Sequence, residues 1–155
     1  MPPFQEPQIA TAAPVVGDGW EYSRLNGPFS TLSTGTRNIG LGFIPLPETD
    51  YEFEASLSVI RAGEGLPIIA VSWGTGMLNG GAAKIAGSSH PLGATVGAAE
   101  AVIDQPKNVT GLVHITGLVR AGHSPQAINL QVASQAKNEE VIIGDLSFLR
   151  FRAVP

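Results

Sequence analysis

Three histidines, His90, His114 and His123, are the side chains of this 155-residue sequence best suited to proton transfer or metal ligation near neutral pH. No pair of them has the helical H-E-x-x-H spacing of a zinc hydrolase, and there is no cysteine to supply a thiolate. His90 precedes a proline and His123 sits in the turn "AGHSPQ", where solvation is the simplest fate. His114 lies inside "GLVHITG", which reads as a strand, and is expected to be hydrogen-bonded or part of an interface. No metal or other cofactor is expected.

Two carboxylates offer a second possible chemistry. Glu52 and Glu54 would lie on one strand face about 7 Å apart, a separation at which paired acids act in glycosidases. Polar outer faces are routinely filled with Glu and Ser, however, and no row of sugar-stacking aromatics accompanies the pair. "GTGMLNGG" lacks the following helix and the Lys-Ser/Thr pair of a phosphate loop, and reads as a flexible loop. "NVT" at 108–110 matters as a glycosylation sequon only in a secreted protein. A nucleophile, a base and an orienting group do not converge in this sequence, so neither enzymatic activity nor a small-molecule substrate is expected.

Composition narrows the remaining classes. Charged residues make up 14%, hydrophobic residues 43%, and there are 19 Gly and 12 Pro. That balance is too apolar for a disordered chain and too rich in Gly and Pro for a helical bundle. The net charge of −4 and the absence of a basic cluster beyond "RFR" argue against nucleic acid as a partner. No apolar run approaches membrane-spanning length, and the first residues lack both a basic region and an unbroken apolar stretch of a leader. A cytoplasmic product with no membrane partner is therefore expected.

The elements that would position these side chains are strands. In "YEFEASLSVIRAG" Tyr51, Phe53, Ala55, Leu57 and Val59 alternate with Glu52, Glu54, Ser56 and Ser58, the period of a half-buried strand. Further strands are predicted in "PFSTLSTGT" and "RNIGLGFIPL", over 66–73 ("LPIIAVSW"), and over 108–122, 126–134 and 141–154. Residues 74–101 are rich in Gly, Ala and Ser and predict a long loop, with either a short strand near Ala94–Val96 or a small helix around Ala82–Ala86. Residues 1–17 carry four prolines and predict an extended arm, reaching about 55 Å if fully stretched. Its Pro2, Pro3, Phe4, Ile9, Val15 and Val16 are candidates for contact with a neighbouring molecule. The expectation is one all-β domain over 18–155: a two-layer antiparallel β-sandwich of the jelly-roll kind.

Two strands break the one-sided pattern. Leu112 and Leu118 fall on the row of His114, opposite Val113, Ile115 and Val119, and Phe148 shares a row with Arg150 and Arg152. Apolar residues on both sides of a strand imply that both sides are covered, either by a loop or the arm or by another subunit. The second reading makes Leu112, His114, Leu118, Phe148, Arg150 and Arg152 a subunit interface, provided that Leu112, Leu118 and Phe148 cluster in space.

The order "YEFEASLSV", "SW", "VHITGLVRAGHSPQAINLQVAS" and "VIIGDLSFLRFRAV", spanning about residues 49–154, resembles a jelly-roll module of tailed-bacteriophage structural proteins, related in topology to tumour necrosis factor and C1q heads. The resemblance implies a homotrimer acting as a capsid decoration protein on the outer surface of the virion, with the major capsid protein as partner. It also admits a receptor- or glycan-binding fibre tip using 74–101, but the short preceding arm, in place of a repetitive shaft, favours decoration. A metal-dependent barrel of the cupin kind is a third, more distant alternative.

Overall fold

A computed structural model describes residues 10–11, 19–74, 77–92 and 98–155, and all the regular structure among them is extended. Thirteen strands follow in order: β1 (Ala10–Thr11), β2 (Glu21–Arg24), β3 (Phe29–Thr31), β4 (Arg37–Ile44), β5 (Asp50–Arg61), β6 (Pro67–Ser72), β7 (Leu78–Ile85), β8 (Ser88–Pro91), β9 (Ala98–Val102), β10 (Thr110–Ala121), β11 (Ile128–Ser134), β12 (Val141–Ile143) and β13 (Phe148–Ala153).

They form two sheets packed face to face, as expected of a β-sandwich. One has the order β1-β4-β11-β6-β9; the other runs β2-β13-β5-β10-β7-β8, with β12 and β3 added beside one end of β5. If β2, β4, β5, β6, β9, β10, β11 and β13 are counted first to eighth, the sheets read 2-7-4-5 and 1-8-3-6. That is the pairing order of a jelly roll, in which first and last strands are neighbours and successive strands cross between layers.

The alternation in β5 does what its period dictates. Tyr51, Phe53, Ala55, Leu57 and Val59 are all buried, while Glu52, Glu54, Ser56 and Ser58 face outward. They meet Ile39, Leu41 and Phe43 of β4 across the sandwich, where the Phe43 and Phe151 rings stack with centroids 4.5 Å apart. Tyr51 and Phe53 tilt against Phe43 at 5.5 and 5.9 Å, geometries that aromatic quadrupoles favour. The Tyr51 hydroxyl accepts from the Leu46 backbone N–H at 3.1 Å, so its polar end is satisfied. Trp73, closing the strand 67–72, is also a core residue at 4% exposure.

Three sequence expectations change. The small helix around Ala82–Ala86 is instead β7 and its turn, and the long loop 74–101 contains β7, β8 and all but the last residue of β9. β7 and β8 form a hairpin around Ala86 (φ 50°) and Gly87 (φ 87°), the positive-φ pair a tight hairpin turn demands. Glycine and alanine hide this hairpin from a reading based on periodicity, because it is edge structure with few large side chains to alternate. The short strand expected near Ala94–Val96 lies outside the described residues. The single strand over 141–154 is two, since Gly144 to Ser147 turn and hydrogen-bond back to Ser58. Within the proline-rich segment, Ala10–Thr11 pair in parallel with Phe43 and Ile44 at the edge of β4. Pro2, Pro3, Phe4, Ile9, Val15 and Val16 lie outside the described residues.

Candidate functional site

The outer face of the β2-β13-β5-β10-β7-β8 sheet collects all six residues expected at an interface. Because directly opposed residues in antiparallel strands share a face, the register arranges them in rows. Ser58 and Leu112 stand opposite each other; next come Arg24, Phe148, Ser56 and His114. Tyr22, Arg150, Glu54, Thr116 and Lys84 form the following row, then Arg152, Glu52, Leu118 and Ala82, and last Asp50, Arg120 and Gly80.

Leu112 and Leu118 are 83% and 59% exposed in the single chain, whereas Phe148 is only half-buried, beneath Tyr22 and Arg24. The anticipated cluster of these three is not contiguous. The two leucines are about 20 Å apart along β10 at roughly 3.3 Å per residue, with His114 and Thr116 between them. Leu146, 84% exposed, lies in the turn bonded to Ser58 and so stands at the Leu112 end of the face. The arrangement is therefore one apolar end, at Leu112 and Leu146, and a second exposed leucine, Leu118, set between the Arg152–Glu52 and Arg120–Asp50 pairs.

Three ion pairs on this face form within the subunit. One guanidinium nitrogen of Arg150 donates to both carboxylate oxygens of Glu54 at 2.9 Å, and Arg152 pairs with Glu52. Arg120 binds Asp50 through two contacts of 2.8 and 3.1 Å. The Trp20 ring centroid lies 4.2 Å from the Arg150 Cζ and 4.3 Å from that of Arg152, within cation–π range. Hydrogen bonding to Glu54, and secondarily to Tyr22, raises the Arg150 pKa above its ordinary value. The Arg120 hydrogen bond holds the Asp50 carboxyl below its usual range. Between this ladder and the β7–β8 hairpin runs a trough of about 640 Å³, with Thr116, Leu118 and Ala82 along it, Trp20 and Arg152 at one side and Lys84 and Ser89 at the other.

The residues weighed for chemistry are dispersed. Glu52 and Glu54 each hold an arginine, which is the role of a packed polar face. His114 Nδ1 is 3.4 Å from Ser56 Oγ, His123 Nδ1 is 3.6 Å from Glu48 Oε1, and His90 sits in β8. Among the described residues no group of three or more His, Asp and Glu is placed to hold a metal. In "GTGMLNGG", Met77 is buried and Leu78 to Gly81 enter a strand, so this part of the expected flexible loop is sheet.

Trp20, Tyr22, Leu146 and the Asp50–Arg120 pair were not anticipated at this face. "WEYSR" carried the signal for the first two, since Trp, Tyr and Arg alternate with Glu and Ser, but the run is short and follows the proline-rich segment. The fold and face together define a jelly-roll β-sandwich whose larger sheet leaves Leu112, Leu118 and Leu146 exposed on its outer side among the described residues. Comparison with protein-family models and with curated proteins gives no match.

Proposed function

We propose that this chain is a non-enzymatic structural protein that assembles as a homotrimer through the outer face of its larger sheet and decorates the head of a tailed bacteriophage. The observation that carries self-association is the exposure of Leu112 (83%) and Leu118 (59%) on a face where Arg150, Arg152 and Arg120 already pair with Glu54, Glu52 and Asp50 within the subunit. A partner that buries these leucines would leave those three pairs intact, which is a condition for charge at an interface to be tolerated. The capsid role is supported by the resemblance of the strand sequence from about residue 49 to 154 to phage jelly-roll modules. The mechanism is mass action: a protein that binds only the assembled shell, through its major capsid protein, stabilises that shell.

The test is to mix purified protein with assembled, undecorated phage heads and sediment them. Co-sedimentation at saturable stoichiometry, with a higher temperature of head disruption, supports the reading. Protein that stays in the supernatant at every concentration refutes the capsid role.

A further inference from the structure

Resting on the self-association reading, we infer that the trough beside β7 is the socket for Tyr22 of a second copy of this chain, so that the subunits close a ring edge to face. Tyr22 lies on β2, the last strand at one side of the larger sheet, and Lys84 lies near the opposite side. The two occupy the same row, linked strand by strand through Arg150, Glu54 and Thr116. Rotation about an axis running along the strands preserves height. In such a ring, therefore, the residue that meets one margin of the face comes from the same row at the other margin of the next copy.

The two margins differ in shape as a heterologous contact requires. At the β2 margin stands an exposed aromatic: Tyr22 is 45% exposed, its ring 6.0 Å from Phe148 and 4.9 Å from the Arg24 guanidinium and its phenol hydrogen-bonded to Arg150. These contacts hold it in place before any partner arrives and leave one lone pair of the phenol oxygen for a second donor. At the other margin the floor is small, formed by Ala82 and Thr116, and the Lys84 ammonium borders it as a donor for the phenol oxygen. A rigid aromatic entering a bordered recess is how interface anchors commonly work. The face is also of suitable size. Its six strands hold 46 residues, which at about 3.3 Å by 4.8 Å each give roughly 700 Å², close to the about 800 Å² per partner of a standard interface.

The absence of cysteine gives a clean test. Within one chain Tyr22 and Lys84 are separated by four strand spacings, about 19 Å, well beyond disulfide reach. The double variant Tyr22→Cys with Lys84→Cys, oxidised gently, is expected to yield covalent dimers and closed trimers that collapse to monomer on reduction. Each single variant is expected to remain monomeric on the same gel. Tyr22→Cys with Thr116→Cys provides a second pair should the first disturb folding. Absence of cross-links in both pairs, while light scattering still reports a trimer, overturns the socket and leaves self-association standing. Cross-linked dimers from Tyr22→Cys alone also overturn it, since they require a two-fold contact. A monomer by light scattering removes both readings.

Discussion

Arg150 and Glu54 meet on an exposed sheet face, one guanidinium nitrogen 2.9 Å from each carboxylate oxygen, one row along the same two strands from the pairing of Arg152 with Glu52. In the single chain such partly exposed pairs contribute little, because water solvates both ions well. Covered by a neighbouring subunit, the same pair must stay intact or leave a buried charge.

Glu54→Gln is therefore expected to leave the melting temperature of the dissociated chain nearly unchanged. It should weaken association by about tenfold or more, because Arg150 is then covered without a counter-ion. Denaturation at low protein concentration and sedimentation across a dilution series separate the two effects. Equal losses in both would mean that the pair serves the fold alone.

Leu112→Glu tests the apolar end. A leucine moved from water into a contact contributes about 2 kcal/mol, so its loss alone corresponds to roughly a thirtyfold weaker association, and the added carboxylate increases that. Circular dichroism and monomer stability should not change, since Leu112 is 83% exposed and outside the core. Sedimentation equilibrium reads the first effect and a urea titration the second.

Gly42→Ala addresses the scaffold. A Cβ at Gly42 would lie 2.2 Å from the Ile128 backbone oxygen, which belongs to β11 and cannot rotate away as a side chain would. The register between β11 and β4 already shifts between Asn129 and Gln131, so the strands would have to part further. A loss at the upper end of about 1–3 kcal/mol is expected by urea denaturation.

The pH dependence follows from Asp50 and Glu64. Hydrogen bonds from Arg120 and Lys107 respectively hold these carboxyls below their ordinary values of 3.8 and 4.5. A depressed folded pKa means that the native state favours the ionised form. The contribution is complete above the unfolded values and is lost as pH falls through the lower folded ones. Melting temperature should thus be flat from neutral pH to about 5 and lose only a small increment from these pairs below about 4.5, because water screens both. Asp50→Asn with Glu64→Gln should lower it slightly at pH 7 and flatten the acid decline.

Much of the scaffold was legible because large side chains alternate where both layers meet. β5 could be assigned from Tyr51, Phe53, Ala55, Leu57 and Val59, and the opposing row from Ile39, Leu41 and Phe43. The β7–β8 hairpin was not legible, since Asn79, Gly80, Gly81 and Ala82 carry no apolar period and their pairing is decided by β10 alongside. The site was readable in kind but not in arrangement. Leu112, Leu118 and Phe148 announce a two-faced strand, yet sequence gives no register between β10 and β13, and β5 separates them. Trp20 and Tyr22 became visible only when the first strand was found beside the last.

The most direct measurement is the mass of the native particle by light scattering at micromolar concentration and neutral pH. A value three times the chain mass of 16.1 kDa, falling to one chain mass for Leu112→Glu, is the predicted result. A value of one chain mass for the unaltered protein across the concentration range would contradict it.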